Sequence, residues 1–422
     1  MPRILYAEWP RGPGAEELEE LLGRSYSLEE YVERVRPIVE DVRRRGYEAA
    51  REYSERFDGV GLEDPRLGRE EMSQALDALP SRAVEALERA VEALRRYHSS
   101  TLPPEAGAPG ARLRWHPVER VGVYAPGGLH PYPSTVVHTV VPARVAGCRR
   151  VVVASPPCRS GCGGSPVHPA VLAAAYLAGA DAVYALGGAQ AVAALAYGAE
   201  PVEKVDMVVG PGSPYVQAAK LLVSSVVGVD MIAGPTELAV VADESADPVQ
   251  VALDMLAEAE HGPLSLSLLA TPSRGLAEEV YRILRREAAG EIGGLAVAVT
   301  PGLGEALELV SRMAPEHLVA YLRDPGPLLE ARPPAGLVSL GVPPALLDYA
   351  YGPSHVLPTG GAARWRGGLG VYTFLRPVAY AEPGLGEEYA EAAAELARLE
   401  GFTRHARSIE YYAGRLERGG GR

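Results

Sequence analysis

The chain contains no asparagine, four glutamines and only two lysines, Lys204 and Lys220, among its 41 basic residues. Loss of heat-labile amides is typical of heat-adapted proteins, although near-total use of arginine also fits a genome-wide bias. We therefore expect some positions that hold Asn or Gln in similar proteins to hold another residue here.

The 422-residue chain also lacks a run of about 18 apolar residues without a charge or a Pro/Gly break, so no membrane span is expected. Its N-terminus, MPRILYAEWPRGPG, lacks the basic-then-apolar pattern of a secretory signal, and we expect a cytoplasmic protein. A net charge of -13 argues against a nucleic-acid partner, because phosphate binding requires a positive surface.

Three cysteines are too few for a disulfide framework. Cys158 and Cys162 form a CxxxC pattern in a stretch rich in Gly, Ser and Pro, and only His168 lies near them in sequence. We predict a surface loop with reduced thiols rather than a zinc ribbon.

The length predicts two or more domains. One amphipathic helix is expected from Ser27, in a capping box with Glu30, to about Phe57, and a second from about Ser81 to Tyr97. From about residue 120, short apolar runs without period-two alternation separate Ala-rich helical segments. This pattern predicts parallel strands buried on both faces, in two α/β units at about 120–236 and 237–370, and a helix-rich tail from about 385.

No G-x-G-x-x-G fingerprint follows any of the predicted strands. Two looser glycine turns do, GGAQAV at 187–192 and GPGSPYV at 210–216. Backbone amides at the helix N-terminus after each turn can face a ligand, but either turn alone is a weak indication of a dinucleotide.

Acids and histidines recur together late in the sequence. Glu258 and His261 are three residues apart near the end of an apolar helix expected to start at Asp247, a spacing that fits either one shared metal or a surface ion pair. Glu316 and His317 are an adjacent acid and base, suited to two proton transfers on one substrate.

Two further histidines also lie near an acid in the sequence. Asp348 and His355 bracket a Gly/Pro-rich stretch, and Glu400 precedes His405 in the tail, so scattered acids and imidazoles could complete a zinc shell, which spacing alone leaves open. Three other histidines are predicted to be solvated and one to be a core residue; they are His98, His116 and His168, and His138.

Along nearly its whole length the sequence resembles histidinol dehydrogenase. Ten blocks match in order: VGVYAPGG, PST, PARVAGCRRVVVASPP, GGAQAVAALAYG, KVDMVVGPG, IAGPTELAVVAD, AEHGP, APEHL, DYAYGPSHVLPTGGAAR and EGFTRHAR. The resemblance implies two Rossmann-like α/β domains with an incomplete dinucleotide-binding fold and small helical N- and C-terminal segments. The expected division is 1–20, 21–120 with 237–370, 121–236, and 371–422.

The resemblance also implies the metal site. His261, Asp348 and His405 would bind one zinc ion per subunit, with Glu258 as the remaining ligand where the family usually has Gln. Carboxylate oxygen is still a zinc ligand, so the site is expected to bind zinc with one additional negative charge.

By the same resemblance, Glu316 and His317 are the catalytic pair in a two-step oxidation of L-histidinol to L-histidine with two NAD. The substrate-binding residues would be Thr236, Glu258, His261, His317, Asp348, Glu400 and His405. Glu400 and His405 would reach the active site of the other subunit of a homodimer.

Tyr124 and Gln190 match residues of the family that contact NAD, and Ser213 stands where the family has Asn. Three alternatives stay open from the sequence. They are a related dehydrogenase acting on another zinc-held polar amino alcohol, a non-catalytic zinc- or NAD-binding relative, and a hydrolytic zinc enzyme.

Overall fold

The computed structural model describes residues 4–23, 27–127, 130–158, 162–381 and 387–417. The strands are β1 (Ile4–Glu8), β2 (Arg66–Leu67), β3 (Ala106–Ala108), β4 (Ala111–Pro117), β5 (Arg120–Tyr124), β6 (Arg150–Ser155), β7 (Ala182–Ala185), β8 (Met207–Val209), β9 (Gly228–Val229), β10 (Glu237–Ala242), β11 (Leu266–Thr271), β12 (Gly294–Val299), β13 (His317–Tyr321), β14 (Leu337–Leu340) and β15 (Leu375–Ala381). The helices are α1 (Ala15–Leu22), α2 (Glu29–Arg45), α3 (Tyr47–Asp58), α4 (Arg69–Gln74), α5 (Ser81–Ser100), α6 (Pro133–Ala146), α7 (Pro169–Ala178), α8 (Gly188–Tyr197), α9 (Pro214–Val223), α10 (Pro248–Ala259), α11 (Arg274–Glu287), α12 (Leu303–Met313), α13 (Gly326–Ala331), α14 (Pro344–Ala350), α15 (Glu387–Leu399) and α16 (Thr403–Glu417).

Two six-stranded sheets carry the fold. Sheet A has the order β1-β12-β11-β10-β13-β14 and is parallel throughout, and sheet B has the order β2-β7-β6-β5-β8-β9. In sheet B only the short β2 runs antiparallel to its neighbour. Counted within each α/β unit, the parallel strands of both sheets follow the order 3-2-1-4-5 of a Rossmann fold without its sixth strand. The prediction of an α/β protein with two Rossmann-like sheets is therefore confirmed.

The apolar runs become strands because helices cover both faces of each sheet. All but the first residue of β6, β10, β11 and β12 is buried. Around sheet A, one hydrophobic cluster joins the strands to α1 and α12, and another joins them to α10 and α11. Burial on both faces explains why these strands lack polar alternation.

Proline and glycine fix the ends of several helices. Pro133, Pro169, Pro214 and Pro248 start α6, α7, α9 and α10, where a missing N–H costs nothing. The Asp247 side chain caps α10 by accepting from the N–H of Val249 at 2.9 Å, as expected from the sequence. Helix α10 ends at Ala259, at the edge where the strands of sheet A begin, and Glu258 lies in its last turn.

The predicted helix from Ser27 to Phe57 is wrong in two respects. Gly46, with φ of 67°, divides it into α2 and α3. The capping box is also absent: Leu28 is the N-cap, and the hydroxyl of Ser27 accepts only from the N–H of Glu29, at 3.3 Å. The second predicted helix is confirmed as α5. Strand β1, which pairs with β12, was missed because its apolar run is short.

The chain divides into two compact units, residues 1–102 with 117–374, and residues 103–116 with 375–422. The second unit contains β3, most of β4, and β15, which form a three-stranded sheet in the order β15-β4-β3 with β3 and β4 antiparallel. It also contains the paired helices α15 and α16. The helix-rich tail is thus confirmed. The four-part division proposed from the sequence stays a prediction. Among the described residues, no helix has the length and apolar character required to cross a membrane.

Two expectations for individual side chains are wrong. His98 is buried at 1% exposure in α5, not solvated, because the helix is covered by α6 and α14. Cys158 and Cys162 form a disulfide instead of remaining reduced, and Cys162 is buried. Their Cα atoms are 6.4 Å apart, within the range that a disulfide bridges.

We expect one free thiol per chain when the protein is denatured without reductant, and three after reduction. The reason is that Cys148 is the free cysteine and is buried in the native fold. A thiol-reactive chromophore measures both numbers. Three free thiols before reduction would contradict the pairing of Cys158 with Cys162.

Candidate active site

Five of the acid and histidine residues singled out from the sequence meet at the edge of sheet A where its strands begin; they are Glu258, His261, Glu316, His317 and Asp348. His317 is the first residue of β13, and Glu316 directly precedes it. Glu258 lies in the last turn of α10, whose chain continues into β11, and His261 follows two residues after the helix. Asp348 lies within α14, not in a loop as its Gly/Pro-rich neighbourhood had suggested.

Three carboxyl groups in this cluster share a region with little water. Burial, followed by the negative charges of Asp348 and Asp254, raises the pKa of Glu258 to about 8. Burial raises the pKa of Asp348 to about 7. For Glu316, burial and the charges of Glu258 and Asp348 raise the pKa well above its usual value. Among the described residues, no lysine or arginine contributes to these three shifts.

His317 is held as a neutral base beside these acids. Its Nε2 is 3.4 Å from Oδ1 of Asp348, and its Nδ1 is buried without a hydrogen-bond partner among the described residues. Burial, together with the nearby imidazoles of His355 and His261, lowers the pKa of His317 to about 3. A neutral imidazole can accept a proton from a substrate hydroxyl.

The donor atoms of this cluster suit a divalent cation. Oδ1 of Asp348 accepts no hydrogen bond from the described residues, and buried carboxylates without a cation to offset their charge are costly. Carboxylate oxygen and imidazole nitrogen are ligands that Zn²⁺ takes. Within the described part of one chain, however, no three His, Cys, Asp or Glu side chains are arranged to hold a metal ion by themselves.

Glu237, which no sequence pattern indicated, supports Glu316. The backbone N–H of Glu237 donates to Oε2 of Glu316 at 3.3 Å, and its own carboxyl accepts from the N–H of Gly360 at 3.1 Å. Thr236 precedes it, and its carbonyl accepts from Leu266 at 3.0 Å. Thr236 is thus next in sequence to a residue that contacts Glu316, and its role as a substrate contact stays a prediction.

The three predicted cofactor residues lie at the carboxyl edge of sheet B, where its parallel strands end. Tyr124 ends β5, and its buried hydroxyl accepts from the N–H of Gly188 at 3.1 Å. Gln190 follows in α8 and is buried, with Nε2 lacking a partner among the described residues. The carboxyl edge of parallel strands is where nucleotides bind in Rossmann folds.

The turn at Gly210 packs directly on Tyr124. A Cβ at Gly210, where φ is 114°, would be 2.2 Å from the Tyr124 carbonyl oxygen, and one at Gly212 would be 3.2 Å from its ring. Ser213 follows as the exposed N-cap of α9. The two glycine turns, each weak evidence alone, thus lie on either side of one tyrosine.

A fully buried ion pair, also missed from the sequence, holds this turn. Nζ of Lys220 is 2.5 Å from Oδ1 of Asp230, and both side chains are 0% exposed. Lys220 donates to the carbonyl of Gly210 at 2.8 Å, while Asp230 accepts from the N–H of Gly210 at 2.8 Å. The sequence did contain an indication that Lys220 is special, because it is one of two lysines in a chain whose other basic residues are arginine.

Glu400 and His405 belong to the second unit, in the loop after α15 and in α16. Both are exposed, and the ring of His405 lies 5.2 Å from that of Phe402. Several large apolar side chains of the same helices are also exposed, including Leu399 at 76%.

Known proteins match this sequence and fold over most of their length. The histidinol dehydrogenase family model matches residues 23–412. The chain is 47% identical to histidinol dehydrogenase from Thermus thermophilus over 406 residues, covering 92% of this chain and 96% of that protein. It is 45% identical to the Methanopyrus kandleri enzyme over 426 residues, covering 94% and 97%.

The chain belongs to the histidinol dehydrogenase family. The crystal structure of histidinol dehydrogenase from Elizabethkingia anophelis also matches, with a TM-score of 0.87, 26% identity and 99% of both chains covered. The predictions of family and enzyme class are confirmed: this member of the histidinol dehydrogenase family is an oxidoreductase. The roles assigned to single residues stay predictions.

We expect Lys220→Met to lower the free energy of unfolding by about 3–5 kcal/mol, because it leaves Asp230 buried and unpaired. Chemical denaturation measures the change. Replacing both partners, as in Lys220→Met with Asp230→Leu, should recover much of the loss.

The matched control is Arg120→Met, at the start of β5 in sheet B. Arg120 pairs with Asp206 at 2.8 Å, but both side chains are more than a third exposed, so the loss should be about 1 kcal/mol or less. Equal losses for Lys220→Met and Arg120→Met would show that the buried pair does not stabilise the Gly210 turn.

Proposed function

We propose that the chain oxidises L-histidinol through L-histidinal to L-histidine with two NAD and one zinc ion per subunit. The observation that carries the proposal is the buried pair Glu316–His317 beside two further carboxyl groups, Glu258 and Asp348. Among the described residues, no lysine or arginine offsets the charge of these carboxyl groups. Membership of the family supports the substrate, and the donor atoms support the metal.

Glu258, His261 and Asp348 would hold the zinc ion from one chain. His405 of the partner subunit would complete the set, and Glu400 of the partner subunit would contact substrate. The exposure of both residues, beside exposed apolar side chains such as Leu399, supports a homodimer with shared sites. When bound, zinc would hold the imidazole and amine of the substrate and so remove its orientational freedom.

His317 would act in the first oxidation. As a neutral imidazole it takes the hydroxyl proton of histidinol, while the carbinol carbon loses hydride and becomes the aldehyde. Its position 3.4 Å from Asp348 allows the carboxylate to stabilise the imidazolium that forms. NAD, when bound, would supply the hydride acceptor for both oxidations.

Glu316 would act in the second oxidation. As a carboxylate it removes a proton from the water that adds to the aldehyde carbon, and the hydrated aldehyde loses the second hydride to give the carboxylate product. The N–H of Glu237 orients its Oε2. Tyr124, Gln190 and Ser213 would bind NAD at the carboxyl edge of sheet B, with the glycine turns giving the nucleotide close access.

One alternative substrate class has a specific basis in this chain. Glu258 stands where the family usually has Gln, which places one more negative charge beside the substrate. A related amino alcohol with higher positive charge would be favoured by that charge. Relative kcat/KM values for histidinol and for other amino alcohols show which of the two is the preferred substrate.

We expect purified protein to form two NADH per histidine from histidinol, to lose activity on chelation and to regain it with zinc. Absorbance of NADH and chromatography of histidine measure the ratio. Undiminished turnover by metal-free protein, or one NADH with histidinal as the end product, would overturn the proposal.

We expect Glu316→Gln to retain most histidinol oxidation and to lose most histidinal oxidation, by about 10²–10⁴-fold, because an amide cannot act as a base toward water. Separate assays with histidinol and histidinal as the added substrate make the comparison. Equal losses in both half-reactions would contradict the role of Glu316.

We expect mixtures of two inactive variants, His317→Ala and His405→Ala, to regain activity after subunit exchange. If each site takes His317 from one chain and His405 from its partner, half of the dimers are mixed and half of the sites in each are intact, so about a quarter of wild-type activity returns. Absence of recovery in mixtures shown to contain mixed dimers would place both residues of a site on one chain.

A further inference from the structure

Helix α6 contacts the chain segment that follows the candidate ligand Asp348 through several hydrogen bonds. Two side chains one turn apart, Thr135 and His138, make the contacts, and both are buried. The hydroxyl of Thr135 lies 3.3 Å from Nε2 of His355, and Nδ1 of His138 accepts from the backbone N–H of His355 at 3.1 Å. The hydroxyl of Ser354 donates to the carbonyl of His138 at 3.1 Å.

The two imidazoles are also stacked. The ring centroids of His138 and His355 are 4.2 Å apart, and the planes differ by 6°. Nδ1 of His355 lies 2.9 Å from the backbone carbonyl of Asp348, which can only accept, so Nδ1 carries the proton and Nε2 accepts from Thr135. His355 is therefore fixed by α6 on one side and fixes the main chain of Asp348 on the other.

We propose that Thr135 and His138 are positioning residues for Asp348 and, through it, for the base His317. The inference rests on the proposed function, because it assigns these two residues to the same substrate and metal site. Neither touches the reacting atoms; both act through His355.

The chemistry of His138 favours this role over simple core filling. Its side chain is 0% exposed, and Nε2 has no hydrogen-bond partner among the described residues. Because Nδ1 accepts a hydrogen bond, Nε2 must carry the proton, and a buried N–H without a partner costs free energy that an apolar side chain would avoid. The unpaired N–H makes the imidazole of His138 less stable here than an apolar side chain. In return, its Nδ1 accepts the N–H of His355 and its ring stacks on that of His355.

The position of α6 extends the inference. The helix follows β5, whose last residue is Tyr124 at the cofactor edge of sheet B, and its first two turns hold the segment behind the catalytic base. The same helix therefore links the two edges on which substrate and cofactor have to be aligned. A small displacement of Thr135 or His138 would move Asp348 relative to His317.

The test compares four variants. His138→Phe keeps a stacking ring but removes the acceptor, and Thr135→Val removes the hydroxyl at nearly constant volume. His138→Asn places an amide oxygen near the position of Nδ1 and should restore the acceptor. Thr139→Val is the matched control, since its buried hydroxyl bonds only to carbonyls of α6, at 2.6 Å to Thr135 and 3.2 Å to Val136.

We expect His138→Phe and Thr135→Val each to weaken zinc binding and lower kcat by about tenfold or more, as for residues that support metal ligands. The KM for NAD should stay unchanged. His138→Asn should recover most of the loss, and Thr139→Val should bind zinc and turn over histidinol like wild type despite any fall in Tm. Zinc affinity is measured by competition with a chromophoric chelator.

The proposal is overturned if His138→Phe and Thr135→Val, shown folded by circular dichroism, match Thr139→Val in zinc affinity and kcat. It is also overturned if His138→Asn is as impaired as His138→Phe. Since zinc binding is read separately from turnover, wild-type protein that binds zinc without oxidising histidinol would overturn the proposed function alone, and the affinities of the variants would still decide the positioning role.

Discussion

The structure depends on one electrostatic constraint, the burial of three carboxyl groups where β13 begins. Burial raises the pKa of Glu258, Glu316 and Asp348; the charge of Asp348 raises that of Glu258 further, and the charges of Glu258 and Asp348 raise that of Glu316. Among the described residues, no lysine or arginine offsets these shifts. Such a cluster is tolerated when protonated or when a cation is present. A divalent ion would let all three ionise and would convert a costly cluster into a substrate-holding site with a carboxylate base.

The two Rossmann-like sheets use opposite edges. Sheet B presents Tyr124 and two glycine turns at its carboxyl edge, the usual position for a nucleotide. Sheet A presents the acid–base pair at its amino edge, because α10 and the segment before β13 both end there. Buried polar contacts stabilise each arrangement, the Lys220–Asp230 pair under Gly210 and the Thr135–His138 contacts behind Asp348. In the proposed function, binding and catalysis would therefore rely in part on side chains that touch neither ligand.

Patterns within short stretches predicted much of this arrangement. Apolar runs located the parallel strands, and the offset between Glu258 and His261 placed both residues at one end of α10. Contacts between distant stretches were beyond such patterns. Burial of His98 and the support of Glu316 by Glu237 depend on packing between segments that are remote in sequence. The pairing of Cys158 with Cys162 is local, but the CxxxC spacing alone does not distinguish a disulfide from two reduced thiols. The rule that sites lie at carboxyl edges would also have misplaced Glu316 and His317; their adjacency was a weak indication of acid–base chemistry, and family resemblance assigned them a specific role.

The most direct test of the electrostatic constraint is calorimetric titration of zinc into metal-free protein at pH 6, in buffers of different ionisation enthalpy. Because the pKa values of Glu258 and Asp348 are about 8 and about 7 without metal, and that of Glu316 is raised well above its usual value, all three carboxyl groups are mostly protonated at pH 6. We therefore expect zinc binding to release about two to three protons per chain. Glu258→Gln should bind zinc and release about one proton fewer. Zinc binding without proton release, or no zinc binding at all, would contradict a site built on these buried carboxyl groups.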